Sequence, residues 1–174
     1  MLRESPDSVG NEVLLRKPRA EDGVHVWDLV QSCSPPLDAN SVYCNLLQCT
    51  HYSDTCVVAE KENTIIGWLS GYRLPADNQI IFIWQICIHE RARRCGLGKK
   101  MIQNVLSRDH SIKKIQATIT PNNKASWQLF RSFASQLSLP FSSEILFHHE
   151  HHFGRRGHES EFLVTIGPHL SESS

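Results

Sequence analysis

The sequence predicts a single domain of the mixed α+β class, with a mostly antiparallel sheet flanked by helices. One observation behind this is the order of β-rich and helical patterns, β-α-α-β-β-β-α-β-α-β-β, between residues 12 and 166. Another is that three consecutive β-rich segments are separated only by short turn sequences, which is typical of an antiparallel meander. Finally, 174 residues suffice for one domain and are few for two. We expect the domain to span residues 11–168, between flexible tails at residues 1–10 and 169–174.

The first half of the chain is expected to contain one strand, two helices and the meander. A short alternating pattern that stops at Pro18 predicts the first strand. Apolar residues that recur on one face predict a helix from about Ala20, and a second helix follows with Ser41 as its N-cap. The two helices are connected by residues 34–40, a proline-containing segment. The meander strands are expected at residues 55–61, 64–74 and 79–89.

The second half alternates helices and strands. A helix is expected at residues 97–107, and a strand follows at residues 112–120. Pro121 and Asn122 favour the start of the last helix, which extends to about residue 137. The two late strands are expected at residues 141–149 and 159–166, joined by a polar, glycine-containing loop.

The composition argues against several classes of function. With 18 Lys and Arg residues balanced by 18 Asp and Glu residues, the chain has no net charge, which argues against general nucleic-acid or membrane-surface binding. No segment reaches the roughly 18 apolar residues needed to span a bilayer, and the N-terminus lacks a signal-peptide pattern. We therefore expect a cytoplasmic protein without nucleic-acid or membrane partners.

The six cysteines are scattered along the chain and include no Cys-x-x-Cys pair. Several lie in apolar segments, where a thiol packs as a small hydrophobic side chain. In a reducing compartment such residues rarely form disulfides. We expect buried thiols rather than disulfide bonds.

Residues 88–102 join a cluster of basic residues to two glycines at the start of a helical pattern. The first turn of a helix offers unpaired backbone N–H groups and the positive end of the helix dipole, and both bind phosphate. Gly96 and Gly98 would let a pyrophosphate approach these groups. The alternative is a solvated basic helix start whose glycines serve a turn. Neither a Walker-type loop nor a Gly-x-Gly-x-x-Gly motif after the first strand is present, so a nucleoside triphosphatase or dinucleotide fold is unsupported.

Two motifs resemble those of the GNAT superfamily of acetyl-CoA-dependent N-acetyltransferases. Residues 93–98, Arg-Arg-Cys-Gly-Leu-Gly, fit the Gln/Arg-x-x-Gly-x-Gly/Ala pyrophosphate loop of that superfamily. Residues 123–130 are similar to its Asn-x-x-Ala/Ser-x-x-Leu-Tyr helix. The resemblance covers most of residues 12–168 and implies the superfamily's fold, in which the sheet opens as a V between the fourth and fifth strands. It also implies acetyl-CoA as the co-substrate.

The same resemblance implies which residues hold the coenzyme. Pantetheine would pair with the backbone of the fourth strand, the pyrophosphate would bind the amides of residues 94–99, and Asn123 would contact the coenzyme arm. The implied coenzyme-binding residues are Ile86, Cys87, Ile88, Arg93, Arg94, Cys95, Gly96, Leu97, Gly98, Lys99 and Asn123. No metal is implied. We expect none at the histidines of residues 148–152 either, because adjacent side chains of an extended segment alternate in direction.

Two positions depart from the superfamily's pattern. Many members carry a tyrosine that protonates the departing thiolate, and here the matching residue is Phe130, which has no proton to give. Some members carry a glutamate base on the fourth strand, whereas this chain has Trp84 and Gln85 there. Glutamine takes no proton at neutral pH. Catalysis must therefore use other groups, water or substrate positioning.

Within the superfamily, three segments together look like the bacterial L-2,4-diaminobutyrate N-acetyltransferases of ectoine synthesis. These segments are residues 32–60, 81–102 and 120–134, and the first weighs most because unrelated acetyltransferases share the coenzyme loop. The resemblance implies acetyl transfer to the γ-amine of L-2,4-diaminobutyrate, giving the N4-acetyl compound that is cyclised to ectoine. Because dimers are common in the superfamily, we expect a homodimer.

The acceptor carries an α-ammonium, an α-carboxylate and a γ-amine, and four residues are expected to bind it. Asp38 is the candidate for pairing an ammonium, with a plain turn residue as the equal alternative. Tyr43 lies near it in sequence, and Gln85 lies where the fourth strand would face the acetyl group. Trp84 could wall the site or cover a cation, the alternative being a core tryptophan.

The substrate amine has a pKa of roughly 10, so a group on the enzyme must take its proton before attack. His158 and Glu161, at the start of the last strand, are the catalytic candidates. Glu159 competes, because residues two apart on a strand share a face and the pattern cannot choose between the two glutamates.

Two alternative functions stay open at the level of sequence. One is acetylation of another small amine by the same kind of enzyme. The other is a regulatory module that binds acyl-CoA without catalysis, an alternative motivated by Phe130 and Gln85.

Overall fold

The computed structural model describes residues 12–34 and 40–167, and the predicted mixed α+β architecture is confirmed. The expected domain boundaries lie at the edges of this part of the chain and stay a prediction. The strands are β1 Leu14–Arg16, β2 Val57–Lys61, β3 Thr64–Leu74, β4 Asp77–Ile88, β5 Lys114–Ile119, β6 Phe141–Phe147 and β7 Glu161–Ile166. The helices are α1 Gly23–Cys33, α2 Val42–Thr50, α3 Leu97–Arg108 and α4 Lys124–Gln136. Ser41 caps α2 as expected, since its hydroxyl accepts a hydrogen bond from the backbone N–H of Cys44.

The strands form one seven-stranded sheet in the order β1-β2-β3-β4-β5-β7-β6. The predicted meander is confirmed, because β2, β3 and β4 pair antiparallel in sequence order. β4 and β5 pair in parallel, but only through residues 80–83 and 114–117. β4 then continues to Ile88 and β5 to Ile119, so the two strands separate towards their carboxyl ends. This separation is the V-shaped opening that the sequence predicted.

A bulge in β4 changes which face its side chains occupy. Ser70 pairs with Gln85 and Gly71 with Ile83, which leaves Trp84 as the extra residue. Before the bulge, Ile81 and Ile83 belong to the same cluster as α3 and α4. After it, the odd-numbered Cys87 belongs to the cluster on the opposite face.

Hydrophobic residues form one cluster on each face of the sheet. The larger cluster, under α3 and α4, includes Leu69, Met101 and Phe133. The second cluster, to which α1 and α2 contribute, includes Val26, Cys49 and Trp68. Because Trp68 and Leu69 are neighbours on β3, the two clusters lie on opposite faces. The opening between β4 and β5 is therefore walled by helices on both sides.

The structure joins Cys33, at the end of α1, to Cys87 on β4 by a disulfide bond, with 6.4 Å between the two Cα atoms. The expectation of thiols throughout is wrong for this pair. Packing of α1 across the sheet brings together cysteines separated by 54 positions in sequence, a contact that local spacing does not reveal. Burial raises the pKa of Cys49 and of Cys56 to about 12, so these thiols stay protonated.

The connection between β6 and β7 differs from the expected irregular loop. It begins with a π-helical turn, His149–Phe153. His148 is the N-cap residue of this turn, and its side chain accepts a hydrogen bond from the N–H of Glu150. Gly154 and Gly157 follow with φ values of +59° and +71°. Such values favour glycine and let the chain reverse towards β7.

Candidate active site

The start of α3 lies next to the opening, directly after β4 and a short turn at Glu90–Ala92. Gly96 is the N-cap residue, with φ +74° in the left-handed region. The first backbone bond of the helix runs from the N–H of Lys100 to the carbonyl of Gly96, so the N–H groups of residues 97–99 precede the intrahelical ladder. These N–H groups and the helix dipole form a site suited to a pyrophosphate.

The two glycines of this motif have different surroundings. A Cβ added at Gly96 would meet nothing within 4 Å, so this glycine is required by its backbone conformation. A Cβ added at Gly98 would lie 3.2 Å from both Cδ atoms of Leu129 on α4. The sequence interpretation, in which both glycines clear space for phosphate, stays a prediction, and at Gly98 the missing side chain also lets α3 and α4 pack closely.

Two of the basic residues of the loop donate hydrogen bonds to backbone carbonyls. Arg93 donates from Nε to the carbonyl of Ile88 at 2.9 Å, and Lys99 donates from Nζ to the carbonyl of Ser132 at 3.4 Å. Arg94 is exposed, in a left-handed conformation with φ +65°. The Ile88 carbonyl is one of the groups expected to pair with pantetheine, so the coenzyme arm must share it with Arg93 or displace that side chain.

The second motif places Asn123 at the N-cap of α4, where its side-chain oxygen accepts a hydrogen bond from the N–H of Ser126 at 3.1 Å. This bond fixes Asn123 beside the carboxyl end of β5. Phe130 is 3% exposed and belongs to the core under α3 and α4. A phenylalanine here therefore serves packing, and it offers no proton to a leaving thiolate.

The expected acceptor residues lie at the start of α2 and on β4. Gln85 is 7% exposed, and its side-chain oxygen accepts a hydrogen bond from Nδ2 of Asn40 at 3.3 Å. Tyr43, in the first turn of α2, is 70% exposed. Asp38 lies outside the described residues.

Trp84 is half exposed, which argues against the alternative of a core tryptophan. Its ring packs edge-on against Tyr72, with 6.3 Å between ring centroids, and the centroid of Tyr72 lies 5.3 Å from that of Phe82. Burial raises the pKa of Tyr72, so its hydroxyl stays protonated. The aromatic side chains form a rigid wall on the face of the sheet that carries α1 and α2.

The structure brings the side chains of His158 and Glu161 together, whereas the carboxylate of Glu159 bonds elsewhere. Nε2 of His158 lies 3.7 Å from a carboxylate oxygen of Glu161, and both side chains are mostly buried. Glu159 is exposed and accepts a hydrogen bond from Nδ2 of Asn122 at 2.7 Å. The shared strand parity of the two glutamates left the choice open, and their surroundings favour Glu161 as the partner of His158.

Glu161 and Gln85 share one face of the sheet. Val164 and Ile166 on β7 face the core under α3 and α4, so the alternation of strand side chains turns Glu161 to the opposite face. Gln85 lies on the same face as Cys87, and this is the face that also carries Glu161. The candidate residues from β4 and β7 therefore flank the opening on the side of α1 and α2.

Sequence reasoning missed two residues of this region. Asn40 bonds Gln85, and Phe153 stacks on His158 with 4.0 Å between ring centroids. The only sequence signal for Asn40 was its position within the segment that weighs most in the resemblance. Within the described residues, no group of three or more His, Cys, Asp or Glu side chains is arranged to hold a metal ion. In that part of the chain, no helix has the length and apolar character that crossing a bilayer requires.

Comparison with known proteins gives consistent findings. A profile of the Acetyltransferase (GNAT) family matches residues 24–134. The L-2,4-diaminobutyric acid acetyltransferase of Methylotuvimicrobium alcaliphilum is 43% identical over 166 residues, which cover 94% of this chain and 95% of the relative. The protein of the same name from Halomonas elongata is 39% identical and covers 92% of this chain and 85% of the relative.

A solved structure is similar over the same extent. Diaminobutyrate acetyltransferase EctA from Paenibacillus lautus, in complex with its substrate L-2,4-diaminobutyric acid and coenzyme A, superposes with a TM-score of 0.85 at 36% identity. The match covers 91% of this chain and 96% of that one.

Proposed function

The chain belongs to the GNAT acetyltransferase family, and on this premise we propose that it transfers acetyl from acetyl-CoA to the γ-amine of L-2,4-diaminobutyrate. The observation that carries the proposal is similarity over nearly the whole chain, at up to 43% identity, to enzymes named for this reaction. The similar structure from P. lautus holds diaminobutyric acid and coenzyme A, which supports the same acceptor and donor. The resemblance seen in residues 93–98 and 123–130 is confirmed at the level of the family.

Acetyl-CoA is the donor, and we propose that it enters the opening between β4 and β5. The backbone of residues 86–88 pairs with pantetheine, where the strands no longer pair with each other. The N–H groups at the start of α3 bind the pyrophosphate, helped by the charge of Arg94. Asn123, fixed at the cap of α4, contacts the coenzyme arm.

On the acceptor side, we propose that Asp38, Tyr43, Trp84 and Gln85 bind diaminobutyrate. The Asn40 side chain supports this by holding the oxygen of Gln85, so that the orientation of the amide is set. The face of Trp84 is available to cover a substrate ammonium. Charged and aromatic groups then hold the α-amino end away from the thioester.

The chemical step needs a free amine. His158 and Glu161 take a proton from the substrate γ-ammonium, a role supported by their mutual contact on the acceptor face. The amine nitrogen then attacks the thioester carbonyl, a C–N bond forms, and the C–S bond breaks with its electron pair going to sulfur. The nitrogen loses its remaining extra proton to solvent as the amide forms, and the thiolate takes a proton from solvent, since the apolar side chain of Phe130 has none to give.

Several finer statements belong to the same proposal. The protein works in the cytoplasm as a homodimer, without nucleic-acid or membrane partners. Its product supplies ectoine synthesis and hence the response to osmotic stress.

A coenzyme-release assay tests the function. With acetyl-CoA as donor, we expect turnover with L-2,4-diaminobutyrate and little with ornithine or lysine, whose longer arms overreach the thioester. Better turnover with arylalkylamines or aminoglycosides would refute the acceptor assignment while leaving the family unchanged. Binding of coenzyme A without turnover on any amine would instead favour the regulatory module.

A further inference from the structure

The π-helical turn between β6 and β7 presents an aromatic ring to His158. The rings of Phe153 and His158 stack with 4.0 Å between centroids and 18° between planes. Both residues are half-buried. Gly154 and Gly157 have positive φ values, and a Cβ added at either would meet nothing within 4 Å. These glycines therefore serve the chain reversal that brings residue 153 back over residue 158.

A hydrogen bond places a hydrogen on Nδ1 of the imidazole. Nδ1 of His158 lies 2.7 Å from the backbone carbonyl oxygen of Glu159. A carbonyl only accepts, so Nδ1 carries a hydrogen, and in the neutral ring the lone pair is on Nε2. Nε2 is the atom that lies 3.7 Å from Glu161. The atom that must receive a proton is thus held towards the carboxylate that stabilises it once protonated.

This arrangement depends on the plane of the ring. The χ2 torsion of histidine is broad, so the bond at Nδ1 alone restricts the ring weakly. A parallel aromatic ring at 4.0 Å limits rotation about χ2 and excludes water from one face. Phe153 itself is packed edge-on by Phe147, with 6.3 Å between centroids.

We propose that Phe153 is a positioning residue for the acetyl transfer, acting through His158. It holds the imidazole in the Nδ1–H tautomer and keeps Nε2 beside Glu161, its partner in accepting the substrate proton. The proposal rests on the proposed function, since His158 and Glu161 are the proton-accepting pair of that function. It adds a residue from a turn that carries no other part of the mechanism.

The test compares Phe153→Leu, Phe153→Tyr and Phe141→Leu. Leucine at position 153 removes the aromatic stack, and we expect kcat for diaminobutyrate to fall about tenfold with an unchanged KM for acetyl-CoA. Tyrosine keeps the ring and should restore kcat to within about twofold. Phe141→Leu is the matched control, because it removes a ring of the same strand, β6, whose aromatic contact is with Trp127 and which takes no part in the stack on His158. We expect near-normal kcat for that control.

A second readout separates positioning from a loss of structure. Nitrogen-15 NMR of the histidine rings, with His158 assigned by comparison with His158→Gln, reports the tautomer directly. We expect the Nδ1–H form in the wild type and in Phe153→Tyr, and a mixture of tautomers in Phe153→Leu. Unchanged kcat and an unchanged tautomer in Phe153→Leu would overturn the proposal, as would an equal loss of kcat in Phe141→Leu. If the wild type makes no N-acetyl product from diaminobutyrate, the proposed function fails, while the tautomer still decides whether Phe153 orders His158.

Discussion

Gly96 adopts a left-handed φ of +74° in open space, whereas Gly98 is buried against Leu129 of α4. The sequence motif contains both glycines at fixed spacing, and from the motif alone they look equivalent. Conformation explains the first, and helix packing explains the second. A motif can therefore identify a family correctly without revealing that its two glycines have different structural roles.

We expect Gly96→Ala to weaken coenzyme A binding at least tenfold and to lower the free energy of unfolding by about 1 kcal/mol, because alanine resists the left-handed conformation. Isothermal titration and urea unfolding measure the two effects. Gly154→Ala, also at positive φ but outside the loop, is the control, since it should lose stability and keep its coenzyme affinity. Equal coenzyme affinity in Gly96→Ala and the wild type would contradict the placement of the pyrophosphate.

Asp22 is part of a charged network between the start of α1 and the sheet edge. Arg16 donates to its two carboxylate oxygens at 2.7 and 2.9 Å, and to Glu60 at 2.7 Å. Burial raises the pKa of Asp22, but the hydrogen bonds from Arg16 more than offset it, so the pKa lies below its usual value. The folded state therefore prefers the ionised carboxylate. That stabilisation is complete above roughly pH 4 and is lost as the pH falls through the lowered pKa.

We expect Asp22→Asn to lower the free energy of unfolding at pH 7 by about 2–3 kcal/mol, because the neutral amide removes a carboxylate that pairs with the Arg16 guanidinium. Urea unfolding between pH 3 and 7 should show this difference shrinking at the acid end. Asp54→Asn is the control, because Asp54 pairs with Lys17 in an exposed position and its loss should change little. A difference between Asp22→Asn and the wild type that is independent of pH would contradict the account.

Some residues of the candidate site could be chosen from their type and their position in the sequence. His158 and Glu161 were predicted from their place at the start of the last strand, and the structure brings them into contact. Phe153 could not be predicted, because its contact with His158 depends on positive φ at two glycines and on the path of the turn. The catalytic roles of His158 and Glu161 stay predictions.

At the scale of elements, order and type were predictable because turn residues and apolar periodicity are local signals. The bulge in β4 was not, because residues 80–88 are almost continuously apolar and show no alternation from which a face could be assigned. The bulge decides that Gln85 faces α1 and α2. A central strand without polar–apolar alternation thus hides the detail that positions its functional residues.

The link between α1 and β4 is testable by reduction. Closing a loop between cysteines 54 positions apart stabilises a fold by about 4 kcal/mol in the chain-entropy description. We expect a phosphine reductant to lower the urea midpoint of the wild type and to leave the Cys33→Ser/Cys87→Ser double variant unchanged. Alkylation of the denatured, unreduced protein should label only Cys44, Cys49, Cys56 and Cys95. Labelling of all six cysteines would show that the bond is absent.

At the scale of the whole molecule, the fold was predictable once two motifs occurred in the right order, since the family's sheet and its opening follow together. The proposed homodimer is a separate question that light scattering answers. We expect twice the chain mass of 19.8 kDa. The edge strand β6 exposes Ile145, Leu146 and Phe147, an apolar surface compatible with association. A particle of single-chain mass would contradict the dimer.

The central claim is that this chain joins the acetyl group of acetyl-CoA to the γ-nitrogen of L-2,4-diaminobutyrate. The most direct measurement is the NMR spectrum of the product made with carbonyl-13C acetyl-CoA. The account predicts one product, in which the labelled carbonyl correlates with the γ-methylene protons of diaminobutyrate. A correlation with the α-proton, or no labelled product at any enzyme concentration, would contradict it.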